Sequence, residues 1–348
     1  MLTSKYSKRL VSLLLSVISV LFLFSSCSGA GDSGEYAEYN YFIMDTYVTI
    51  KLAREKDGAA LSKDYLDSAA AQCSKILVDI DSAISSHNEN SDVYRLNSDY
   101  DYILSADDKM LSLLDTAETV AELTNGAYDY TLGCLTELWD VTHNTTPPSE
   151  TKINEALSHC GRDKIKITGK RISKLDLSVK IDFGGIGKGM AAQQLLEYLD
   201  TTDVEYGLVS VGGNIGVFGK KPGGEDYKIG IRDPHDTSDV IGYCYLGSGF
   251  VSVSGDYERY FEWGGKRYHH IIDPKTGYPA ESGLSSVAVV SSNGAAADAL
   301  STALFVMGAD KALEFYNEGK ISFEAVMVKS DGEIVLTPGI AEKFEIKK

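Results

Sequence analysis

The hydrophobic rhythm of the chain changes from helical to strand-like partway along. Between Leu61 and Ser85, apolar residues fall at helical spacing (Leu66, Ala70, Cys73, Leu77, Ile80, Ile84), which predicts a long amphipathic helix. Ser105-Ala106-Asp107-Asp108 carries a capping-box pattern at the start of a second helix, and Gly126 marks its end. Further helices are predicted at Ile186–Leu199, which opens on glycines, at Ala295–Met307, stopped by Gly308, and at Lys311–Asn317. Runs rich in β-branched and aromatic residues predict strands at Tyr41–Lys51, Tyr206–Val211, Lys228–Arg232, Phe250–Val253, Arg267–Ile272 and Leu284–Val290, with two more around Asp331-Gly332. Helices dominate the first half and strands the second. The pattern reads as α+β, with packed helices on mixed or antiparallel sheets and room for a helix-rich subdomain beside a sheet-rich one.

One apolar run fits neither rhythm. Leu10–Phe24 is interrupted only by serines, follows Lys5, Lys8 and Arg9, and precedes Ser25-Ser26-Cys27. Basic, apolar, then small residues is the layout of a secretory signal, and the apolar run is short for a membrane span. A Cys directly after small residues resembles a bacterial lipobox, with Phe24 in the place usually held by Leu. An ordinary signal peptide with an incidental Cys, or an uncleaved anchor, is the alternative. The lipobox reading divides the chain into a signal peptide (1–26), a flexible Gly/Ser-containing tether (27–40) and a folded body (41–348). It places a lipid on Cys27 and the body on the extracytoplasmic face of a bacterial membrane.

Composition narrows the classes further. The 348 residues include 33 Lys+Arg and 50 Asp+Glu, for a formal charge of -17, and 43% are hydrophobic. A sizeable core is within reach, and disordered, collagenous and multi-span membrane classes are excluded. Removing the signal deletes three positive charges and no negative one, taking the charge from -17 to -20. Non-specific binding to DNA or RNA, which needs Lys and Arg against phosphates, is excluded as well. Cys73, Cys134, Cys160 and Cys244 form no C-x-x-C pair, so neither a zinc ribbon nor a thioredoxin-type site is supported, and their pairing stays open.

Three segments carry candidate chemistry. Asp182-Phe183-Gly184-Gly185-Ile186-Gly187-Lys188-Gly189 runs into a predicted helix. Glycines before a helix N-terminus let backbone N–H groups approach an anion, and Lys188 adds charge. Gly189 stands where a Walker A loop needs Ser or Thr, and the glycine spacing is not that of a dinucleotide fingerprint. A second segment runs from Ser254-Gly255-Asp256-Tyr257 to Tyr268-His269-His270-Ile271-Ile272-Asp273-Pro274-Lys275-Thr276-Gly277. Adjacent histidines on a strand face opposite ways, so one at most looks into a given site. In the third, Asp298 and Thr302 share a face of a helix of small and apolar residues. A carboxylate there needs a partner, and a hard cation such as Mg²⁺ suits one carboxylate and one hydroxyl. An Asp favoured in the first turn by the helix dipole is the simpler explanation. Ser91–Asn97, Asn125–Thr131 and Val211-Gly212-Gly213-Asn214 are polar or glycine-rich where a packed element would be apolar.

Taken in order, these segments resemble the ApbE family of FAD:protein FMN transferases, which are flavin-trafficking lipoproteins. The matches are Met44-Asp45-Thr46, Ser91–Asn97, Gly126-Ala127-Tyr128-Asp129, Asp182–Gly189, Val211–Asn214, Ser254–Tyr257, His270–Gly277, and Ala297-Asp298 with Thr302. They span roughly Tyr41 to Lys348. The resemblance implies FAD as substrate, bound Mg²⁺, and transfer of the FMN half onto a Ser or Thr hydroxyl of an acceptor protein, with release of AMP. The acceptor it implies is an extracytoplasmic or membrane redox flavoprotein. Asp298 and Thr302 match metal-binding side chains, and Gly185 matches a metal-binding backbone carbonyl. Met44, Ala127, Tyr128, Asp129, Asp182, Lys188 and Ile272 fall on flavin-nucleotide contacts. His270 matches the base for the acceptor hydroxyl. His87 stands where the family commonly has an aromatic residue against the flavin, and Asp45 where it often has Gly. Two competing readings are a Mg²⁺-dependent FAD pyrophosphatase, giving FMN and AMP, and a solute-binding lipoprotein that carries a flavin without cleaving it.

Overall fold

A computed structural model describes residues 35–99 and 101–347. The signal, most of the tether and Cys27 lie outside the described residues. The first strand begins at Tyr36, inside the segment predicted as tether.

Eight strands form one sheet whose spatial order follows the chain: β1 (Tyr36–Ile43), β2 (Thr46–Ala53), β3 (Gly207–Val211), β4 (Asn214–Phe218), β5 (Gly249–Gly255), β6 (Leu284–Ser291), β7 (Glu324–Lys329) and β8 (Ile334–Leu336). Every neighbouring pair in it is antiparallel. The helices are α1 (Lys63–Ile84), α2 (Asp92–Ser98), α3 (Asp108–Leu123), α4 (Gly133–Trp139), α5 (Glu150–His159), α6 (Gly187–Leu199), α7 (Gly294–Met307) and α8 (Ala309–Glu318).

Strand alternation sorts the sheet's side chains onto two buried faces. Val209, Phe250, Val287, Val289 and Met327 join the helices in the main core, and their neighbours Leu208, Val251, Ala288 and Val326 point the other way. That second face is covered by a three-stranded sheet of Tyr227–Arg232, Val240–Leu246 and Phe344–Ile346. The main core takes residues from both halves of the chain, from Leu66 and Leu113 to Val289 and Met327. The helices of the first half and the strands of the second therefore do not separate into two cores.

Element boundaries follow local chemistry. Ser62 caps α1 by accepting the Tyr65 N–H at 3.2 Å. Asp107, two residues beyond the Ser that opens the predicted capping box, caps α3 through the Met110 N–H at 2.8 Å. The single strand predicted at Tyr41–Lys51 is a hairpin. Met44 and Asp45 both take left-handed conformations, with φ of 59° and 52°, and turn the chain in two residues. The strand predicted at Arg267–Ile272 stops at His269, in a hairpin of Tyr260–Trp263 with Lys266–His269. Ser91–Asn97 is mostly helical. Asn97 exchanges two 2.8 Å hydrogen bonds with the backbone of Ile181 and so pins the residue before Asp182.

Candidate active site

The helix-covered side of the sheet contains a cavity of about 410 Å³ where α6 and α7 begin, bordered by the β1–β2 turn and the α4 wall. Two glycines behind its wall let the two helices meet. A Cβ on Gly189 would lie 2.1 Å from the Gly294 carbonyl oxygen, and one on Gly294 would lie 2.5 Å from the Gly189 oxygen. Only residues without side chains let α6 and α7 meet this closely. The crossing carries Asp298 to the start of α6, which has no side-chain cap of its own. Asp298 Oδ2 accepts the Gly189 N–H at 2.8 Å. Burial holds the Asp298 carboxyl above its usual range, against the pull of Lys188, this N–H and the Asn214 amide.

One turn along α7, Thr302 faces Gly185: a Cβ on Gly185 would come within 3.2 Å of Thr302 Oγ1. Ser254, at the end of β5, approaches Thr302 Oγ1 at 3.3 Å and Ser301 Oγ at 2.7 Å. The paired glycines after β3 have a local reason too. A Cβ on Gly212, at φ +56°, would meet Lys188 Cδ at 2.9 Å and Thr46 Oγ1 at 2.5 Å, so glycine there makes room for the lysine stem. Lys188 Nζ lies 3.2 Å from the Gly184 carbonyl.

The acidic and aromatic lining is held from several directions. Asp182 accepts the Gly184 N–H at 2.7 Å and the Thr136 hydroxyl at 2.7 Å. Asp129 accepts the Thr131 N–H and hydroxyl, and burial raises its carboxyl. Tyr128 is buried and its hydroxyl has no hydrogen-bond partner among the described residues. Burial and then the charges of Asp298, Asp182 and Asp129 push it well above the usual phenol range, so it stays protonated and able to donate. An unmatched buried donor among carboxylates is a place for a polar ligand.

The two adjacent histidines separate as strand geometry requires. His269 is buried, hydrogen-bonds the Ala280 carbonyl at 3.0 Å and packs edge-on against Phe305. His270 lines the cavity, half-buried, with Nδ1 shielded and unpartnered among the described residues. Burial first, then Arg259, Lys188 and His269, hold its imidazole well below the usual histidine range. It is therefore neutral at pH 7 and able to take a proton.

All twelve site residues predicted within the described part of the chain line this one cavity: Met44, His87, Ala127, Tyr128, Asp129, Asp182, Gly185, Lys188, His270, Ile272, Asp298 and Thr302. His87 stands exposed just beyond the end of α1. Sequence reasoning missed Thr136 and Trp139 of α4, and Glu258 and Arg259 at the cavity edge. Arg259 follows two acidic residues in Asp256-Tyr257-Glu258 and reads, by composition alone, as part of a solvated charged turn. Among the described residues no three His, Cys, Asp or Glu side chains form a metal cluster, and the four cysteines are free.

The model of the ApbE family matches residues 44–327, from the first hairpin turn to β7. The chain belongs to the ApbE family. An FAD:protein FMN transferase of Haemophilus influenzae is 32% identical over 77% of this chain and 81% of its own length. One from Treponema pallidum is 26% identical over 95% of this chain and 94% of its own. The crystal structure of the ApbE protein of Thermotoga maritima superposes with a TM-score of 0.79 at 36% identity, covering 88% of this chain and 99% of that one. The antiparallel sheet with its helix layer is thus the ApbE fold, and the cavity lies within the matched region.

Proposed function

We infer that this chain is an FAD:protein FMN transferase that moves the FMN half of FAD onto a Ser or Thr hydroxyl of an acceptor protein and releases AMP. The observation that carries the reading is the cavity floor. A buried carboxylate, a hydroxyl and a glycine backbone from α7 and the Asp182–Gly189 loop converge beside a lysine and a neutral histidine.

The donor set fits Mg²⁺. Asp298, Thr302 and the Gly185 carbonyl are hard oxygen donors, with no thiolate or imidazole among them. One protein carboxylate suits an ion that keeps waters and substrate phosphates in its shell. When bound, Mg²⁺ supplies charge neutralisation at the pyrophosphate oxygens. The chain's own groups do the rest. Lys188 and the N–H groups at the start of α6 favour an anion. The Tyr128 hydroxyl offers a proton to an acceptor atom. His270 takes the proton of the acceptor hydroxyl as its oxygen bonds to the FMN phosphorus. The bridging P–O bond then breaks and AMP departs.

The proposal includes a site of action outside the cytoplasm, on a lipid at Cys27, facing an extracytoplasmic or membrane redox flavoprotein as acceptor. Its support is the N-terminal sequence. No helix among the described residues is long and apolar enough to cross a membrane. Chain purified from the membrane fraction is expected to begin at a lipid-bearing Cys27 by mass, and an N-terminus without lipid would contradict lipid anchoring. For the reaction, AMP release from FAD in the presence of acceptor should stop with EDTA and resume with excess Mg²⁺. Undiminished release in EDTA would rule out the metal.

A further inference from the structure

The cavity is poor in positive charge for a pyrophosphate site. Seven carboxylate side chains line it against two fixed cations, Lys188 and Arg259. Lys188 belongs to the floor, with its stem seated on Gly212 and its amine against the Gly184 carbonyl. Arg259 lines the same cavity from a different element. It immediately precedes the Tyr260–Trp263 strand, and its backbone carbonyl accepts the His270 N–H at 3.1 Å. Arg259 and His270 are thus the two legs of one hairpin, tied together at its base. The side chain of Arg259 is exposed and makes no ion pair among the described residues, unlike its neighbour Arg267, which holds Asp256 at 3.1 Å. A guanidinium left unpaired beside so many carboxylates and at the base residue's own anchor is a free anion-binding group.

FAD carries one negative charge on each of its two phosphates. The glycine loop, Lys188 and the metal donors sit together on one side of the cavity. We propose that Arg259 is a second pyrophosphate-binding residue, whose guanidinium holds the phosphate that the Lys188 side does not. In the transfer step the acceptor oxygen bonds to the FMN phosphorus and its proton passes to His270. The bridging P–O bond breaks, and its electron pair leaves with AMP. Charge then grows on the departing phosphate, where a planar, bidentate, permanently charged donor acts better than an ammonium. The hairpin tie keeps the backbones of Arg259 and His270 side by side, so both side chains start from the same edge of the cavity. Both Arg259 and Lys188 also help hold His270 in its neutral form.

This inference rests on the FAD reading, and its test separates the two. FAD affinity of the wild-type chain, Arg259→Gln and Arg259→Lys is measured by flavin fluorescence at fixed pH and salt, without acceptor, with riboflavin as a phosphate-free control. Arg259→Gln should weaken FAD binding by about ten-fold and flatten its salt dependence. Its riboflavin affinity and melting temperature should not change, and Arg259→Lys should recover only part of the loss. FAD affinity of Arg259→Gln equal to wild type, in a wild-type chain that binds FAD, would overturn the role of Arg259 alone. An equal loss of FAD and riboflavin affinity would show a merely structural role and overturn it too. A wild-type chain that does not bind FAD would overturn this inference together with the reading beneath it.

Discussion

The two faces of the eight-stranded sheet use the same strands to opposite ends. On one face Leu208, Val217, Val251, Ala288 and Val326 meet a second sheet, and every side chain in that cluster is apolar or aromatic. In sheet-on-sheet packing the backbone groups pair within each layer and the facing side chains interdigitate. On the other face Val209, Val287, Val289 and Met327 meet helices. Helices end, and their first turns leave N–H groups without intrahelical partners. Where α6 and α7 cross on paired glycines, one such N–H is met by a carboxylate from the other helix. The candidate cavity opens beside that crossing, where a helix start meets a buried carboxylate. Both faces bury a core, and the helix-covered one also holds the candidate site.

This contrast can be broken by substitution. The largest effect is expected on the helix side. Asp298→Ala should lower Mg²⁺-dependent FMN transfer by about a thousand-fold or more. It should cost only about 1 kcal/mol of stability, the worth of a helix cap. Rates titrated with Mg²⁺, beside a denaturant melt, check both halves. Full transfer by this variant would remove the metal assignment. Next, Gly189→Ala forces a methyl into the Gly294 carbonyl, and α6 and α7 must part. A loss of about 3 kcal/mol is expected, together with about a hundred-fold loss of activity as Asp298 shifts relative to Gly185 and Thr302. A variant that keeps wild-type activity and melting temperature would show that the close crossing is not needed.

Val326→Ala probes the opposite face. It should cost about 2 kcal/mol through the vacated volume, while the rate per folded molecule stays at the wild-type value. A selective loss of activity, measured well below the melting temperature, would mean that the two faces are coupled and the contrast false. The smallest effect concerns pH. His270 is held below the ordinary histidine range of about 6.5 by burial, then by Arg259, Lys188 and His269. The neutral, proton-accepting form is the active one. Activity should therefore be level through neutrality and fall only as pH drops below that range, through the depressed value. An acid limb centred at or above 6.5 would contradict a buried His270 as the base.

Residues close in sequence made part of this readable without coordinates. The helix at Leu61–Ser85 follows from six apolar positions on one stripe, and Asp298 with Thr302 follows from their four-residue spacing on an apolar helix. The Met44–Asp45 turn was hidden, since neither residue is the Gly or Asn that usually marks a two-residue turn. α4 and α5 were missed because they are short, and α5 buries only Ile153 on its own account. The contact of Gly189 with Gly294 joins segments far apart in the chain, and no periodicity reports it. Arg259 was hidden for a different reason. An exposed cation among acidic residues looks the same in sequence whether it faces water or a cavity.

The central claim is transfer, and the acceptor's mass tests it most directly. Wild-type chain, FAD and Mg²⁺ are incubated with a threonine-bearing acceptor protein, and the intact acceptor is weighed. A gain of one FMN residue, lost when the threonine is replaced and matched by an equal amount of AMP, is the predicted result. Free FMN and AMP with an acceptor of unchanged mass would contradict it and make water the nucleophile in this site.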